Sequence, residues 1–133
     1  MTDKELLEAA AKAYWGDEID DTCSIRWLEE DQAIGYTHGD NQDHNGNDRE
    51  FVWNPLENDG DALRLAVKLG LSIDQYPYYS EPKHSVIVKQ RRRGDQMRET
   101  NPTEVFEVYG EDPNAANRRA IVRAAASMVK EQP

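Results

Sequence analysis

The 133-residue chain carries 26 acidic and 16 basic side chains, a net charge of −10, with 38% hydrophobic and 32% charged residues. That balance gives no run near the roughly 20 apolar residues of a membrane-spanning helix. It disfavours direct nucleic-acid binding, which needs a dominant basic surface, and it predicts one domain over residues 1–133 with a thin core rather than a deep enzyme cavity.

The first segment pairs Thr2 with Glu5 three residues on, a capping box that satisfies two backbone donors at a helix start. Leu6, Leu7, Ala10 and Tyr14 then recur at helical spacing and Gly16 supplies the stop. The acids and lysines of this segment interrupt the apolar run that a signal peptide requires. Cys23, the one cysteine, cannot form an intramolecular disulfide, and a reducing cytoplasm is the expected compartment.

Cys23, Ile25 and Trp27 alternate with polar residues as on a half-buried strand, Glu29 to Gln32 reads as a turn, and Ala33 to His38 as the returning arm. Gly39 to Asp48 is expected to be a loop, and Phe51 to Trp53 a third short strand. Asn54 and Pro55 turn the chain into a second helix whose first turn holds Asn58, Asp59 and Asp61, where carboxylates meet the positive end of the helix dipole. Leu63, Ala66 and Val67 define its expected buried stripe, Gly70 ends it, and Arg64 is spaced to pair with Asp61.

Strands are expected in Ile73 to Tyr79, Ser85 to Lys89 and Val105 to Tyr109, with Gly94 and Asp95 at a hairpin tip. Asp112 caps a last helix with Pro113 at its first position, its inward stripe being Ala116, Ala120, Ile121, Ala124 and Met128. Helix, strands, helix, strands, helix gives an α+β chain with a mostly antiparallel sheet and three helices.

The chemistry-bearing motifs are sparse. Asn41, Asp43, Asn45 and Gly46 match part of a calcium loop, but Val52 stands where a bidentate glutamate is needed, so no metal and no cofactor are expected. No nucleophile elbow or phosphate loop is present, which speaks against catalysis. Lys89, Arg91, Arg92, Arg93 and Arg98 form a cationic run suited to phosphates or to an acidic protein surface, or a charged guard on a sheet edge. Trp53, Tyr76 and Tyr78 are candidate contact residues whose rings serve packing equally well. Charge is divided unevenly: residues 1–61 sum to −13 and residues 62–133 to +3, which predicts pairing within the fold, through Arg118, Arg119 and Arg123, or with a partner.

Trp53 to Gly70, WNPLENDGDALRLAVKLG, together with Asn117 to Ala126, NRRAIVRAAA, resembles the phage ABA-sandwich domain family, small proteins of tailed phages and prophages. The two segments cover about a fifth of the chain. The resemblance implies a three-layer α/β/α sandwich and a phage or prophage origin; it carries no catalytic residue. The expected function is a non-enzymatic accessory protein that binds a host or phage macromolecule, through Arg91, Arg92 and Arg93 and the aromatic residues. The alternatives are a small-ligand binder, nucleotide-like in its target, and an acidic mimic of nucleic acid. Homo-oligomers are compatible with each.

Overall fold

Local sequence signals start and stop the helices of the computed structural model, which describes residues 1–16, 23–76, 85–90, 104–108 and 110–130. Helix α1 spans Asp3–Trp15, and its capping box is formed in both directions between Thr2 and Glu5. Helix α2 spans Asp59–Leu69 with Asn58 as N-cap, its side chain accepting from the Asp61 amide. Gly70 ends α2 in the left-handed region at φ 66°, where a residue without Cβ is unstrained. Helix α3 spans Pro113–Lys130, and Asp112 Oδ1 accepts from the Asn114 amide at its start. Among the described residues no helix is long and apolar enough to cross a membrane.

The six strands divide into two three-stranded antiparallel sheets, a division that element order does not reveal. β1 (Cys23–Leu28), β2 (Ala33–Gln42) and β3 (Asp48–Trp53) form one sheet in that order. β4 (Leu71–Tyr76), β5 (Ser85–Gln90) and β6 (Glu104–Val108) form the other. With three helices on these sheets the chain is an α+β sandwich.

Strand register sorts the side chains by face. Trp27 lies opposite Ile34, which lies opposite Trp53, and Ile25 opposite Tyr36; this face meets α1. The other face carries polar pairs beside Leu28 and Val52: Arg26 spans Gly35 to make two 2.8 Å bonds with Glu50, and Ser24 meets Thr37 at 2.6 Å. A Cβ on Gly35 would come within 2.9 Å of the Glu50 carboxylate, so glycine is what lets this ion pair lie flat across the strand. In the second sheet Val88 lies between Ile73 and Val105, and Val86 and Val88 are fully buried under α3.

The core runs from the first sheet through α1 and α3 to the second sheet, with α2 laid against α3, α1 and β4. Ala10 and Ala11 of α1 and Ala120, Ala124 and Ala125 of α3 are wholly buried, and small side chains are what allow two helix backbones to approach. The inward stripe expected of α3 is borne out at Ala116, Ala120, Ile121 and Ala124.

Two expectations are corrected. The segment Gly39 to Asp48 is not all loop: β2 continues to Gln42, pairing with Asp48 after a register shift, and the turn shrinks to Asp43–Asn47. Asp43 Oδ1 closes that turn by accepting from the Asn45 and Asn47 amides at 2.9 and 3.0 Å. In α2, Ala66 is buried as expected, but Leu63 and Val67 are 61% and 72% exposed, and Ala62 and Leu65 face the core in their place. Ala66 belongs to both candidate stripes, and the capping network fixes the rotation of the helix about its axis.

Candidate partner-binding cleft

The rotation of α2 is set at its first turn. Asp61, 8% exposed, accepts from the Asn54 amide (2.9 Å) with one oxygen and from Arg64 Nη2 (2.6 Å) with the other. A carboxylate held on two sides holds the helix that carries it, so Ala62 turns inward and Leu63 and Val67 outward on one exposed line.

Leu63 is also one wall of a cleft of about 350 Å³ between α2, β4 and α3. Its apolar walls are Ala62, Leu63, Ile73 and Ile121, and its polar rim includes Asp59, Gln75, Asn114, Asn117 and Arg118. That volume lies at the small end of the range of ligand pockets, and the mixture of apolar wall and few polar groups is what such sites use.

Arg118 organises the rim. Its side chain is 13% exposed; Nε donates to the Leu56 carbonyl (2.8 Å), Nη1 to Asp59 Oδ1 (2.7 Å), and Asp112 Oδ2 lies 3.7 Å from Nη2. One guanidinium thus ties together the turn before α2, the first residue of α2 and the N-cap of α3. Opposite it, Gln75 and Asn117 exchange hydrogen bonds through their amides, and Asn117 Nδ2 also donates to the Pro113 carbonyl (2.8 Å).

The residues expected to bind fall elsewhere. Trp53 is 5% exposed, with the rings of Tyr14 and Trp15 at 5.5 and 4.9 Å, and its Nε1 has no partner among the described residues. This is the packing role rather than an open contact surface. Tyr76 closes β4 opposite Ser85. Tyr78, Arg91, Arg92 and Arg93 lie outside the described residues. Among those described, no group of three or more His, Cys, Asp or Glu side chains is placed to hold a metal ion.

The predicted pairing between the two charge halves takes concrete form. Arg118 meets Asp59, and Arg119 Nη1 meets Asp3 Oδ1 at 3.1 Å, while Arg123 pairs within the second half, with Glu107. Sequence inspection found the arginines but not the cleft. In the sequence Leu63 and Val67 read as core positions, so nothing there marks the cleft. The chain matches no family model, no curated protein and no solved structure.

Proposed function

We propose that the protein is a non-enzymatic accessory protein of phage or prophage origin that acts in the host cytoplasm by binding a host or phage protein. The observation that supports this reading is the apolar line of Leu63 and Val67, 61% and 72% exposed, running into a cleft walled by Ile73 and Ile121. Leu63 and Val67, one turn apart on the helix, offer the apolar anchors that a helix-in-groove or helix-face contact uses. The Arg91 to Arg93 run is the second proposed contact, on the acidic side of the same partner.

Gentle purification of a tagged chain from infected cells, followed by native mass spectrometry, tests the reading. A stoichiometric partner is expected with the wild-type chain and is lost with Leu63→Ser/Val67→Ser, a variant that keeps the fold because both side chains already face water. Capture unaffected by this variant and by Arg91→Ala/Arg92→Ala/Arg93→Ala would remove both surfaces from the account. Failure to capture any protein would sink the reading itself.

A small-molecule ligand is the second reading, favoured by the volume of the cleft and by the amide pair of Gln75 and Asn117 at its rim. A thermal-shift screen of nucleosides and other metabolites decides it, since a ligand at a hundred times its Kd adds about 2.7 kcal/mol. Absence of any shift counts against it.

A further inference from the structure

The charge around the cleft selects among partners. Arg118 is engaged by Asp59 and Asp112, and Arg64 by Asp61, so neither guanidinium offers an uncommitted charge. Asp59 and Asp112 are 71% and 57% exposed, and each has an exposed glutamate close by in sequence, Glu57 and Glu111. Among the described residues, Asp59 and Asp112 share the single guanidinium of Arg118, which leaves one carboxylate charge in excess at this end of the cleft. An anionic or phosphorylated segment is repelled there, and a cationic one is attracted and held in register.

We infer that the cleft and the Leu63–Val67 line take a basic, amphipathic segment of a partner protein, with a large apolar side chain between Leu63, Ile73 and Ile121 and a lysine or arginine at Asp59. The inference rests on the protein-binding reading above and adds the chemistry of the partner. Apolar contact provides the affinity, while the acidic rim provides orientation and excludes acidic competitors.

The test is fluorescence anisotropy of a labelled Leu/Lys amphipathic peptide of about a dozen residues, against the full chain, beside its Leu/Glu counterpart. Binding of the basic peptide alone is expected. Glu57→Lys/Glu111→Lys should weaken it on the order of three- to ten-fold, since each exposed charge contributes a factor of a few. Glu30→Lys/Asp31→Lys, which has the same net charge but alters the exposed β1–β2 turn, should leave binding within two-fold, roughly. Leu63→Ser should weaken the basic peptide without changing its salt dependence. Equal loss in the two charge variants would mean non-specific attraction to an acidic protein and would overturn the inference, as would equal binding of the Leu/Glu peptide. If these fail while the Leu63→Ser/Val67→Ser variant still loses its captured partner, the basic-segment inference falls and the protein-binding reading stands.

Discussion

At the scale of single residues, Asp61 carries more of the local architecture than its neighbours. It bonds the Asn54 amide and Arg64, and its own amide is capped by Asn58, all at a site 8% exposed. Asp61→Ala leaves the Asn54 amide without its acceptor, and a loss of about 1–3 kcal/mol is expected in urea unfolding; a loss under about 0.5 kcal/mol would show that water replaces the carboxylate freely. Glu50 provides the pH-dependent counterpart. Hydrogen bonds from Arg26, set against desolvation and joined by the Arg26 charge, hold its carboxyl below the usual glutamate range. A depressed native pKa means stability that is complete above the unfolded value of about 4.3 and that disappears as pH falls through the native one. Glu50→Gln is therefore expected to be less stable than wild type at about pH 6, with the gap closing as pH falls below the unfolded value of about 4.3. A gap that persists in acid would assign the effect to packing over Gly35 instead of to charge.

At the scale of elements, the two faces of α2 and the seam between α1 and α3 should respond in opposite ways to substitution. Ala120 and Ala124 are wholly buried, so Ala120→Leu inserts volume where backbones are already close and should cost about 1–3 kcal/mol. Val67→Ala, on the exposed line, should stay within about 0.5 kcal/mol of wild type. Denaturant midpoints of the two variants measure the contrast, and a large loss in Val67→Ala would mean that the line is part of the core after all. Helix ends were legible in the sequence because caps are local: Thr2 with Glu5, Asn58, Asp112 with Pro113, and Gly70 each act within a few residues. The buried face of α2 was not legible in the same way. Leu63 and Val67 fit a helical stripe as well as Ala62, Leu65 and Ala66 do, and the choice is made by Asn54 and Arg118, which lie outside the helix. The cleft was hidden for a related reason, since Leu63, Ile73 and Ile121 come together only through packing of α2, β4 and α3.

At the scale of the whole molecule, ion pairs between described residues join the acidic and basic halves. Arg118 with Asp59 and Arg119 with Asp3 cross between the halves, and the buried alanines of α1 and α3 meet beside them. Neither sheet has its apolar face covered without a helix of this seam: the first relies on α1 and the second on α3. Stability of one half is thereby made conditional on the other, and a single cooperative transition is expected for a chain of this size. Trp15, Trp27 and Trp53 all belong to α1 or the first sheet, so tryptophan fluorescence reports that half, whereas far-UV circular dichroism weights α3, the longest helix. The two urea curves should superimpose, and Ala120→Leu should move both midpoints together although the substitution lies in the half without a tryptophan. Separated midpoints, with fluorescence unmoved by Ala120→Leu, would mean that the halves fold independently and that the seam contributes contact without coupling.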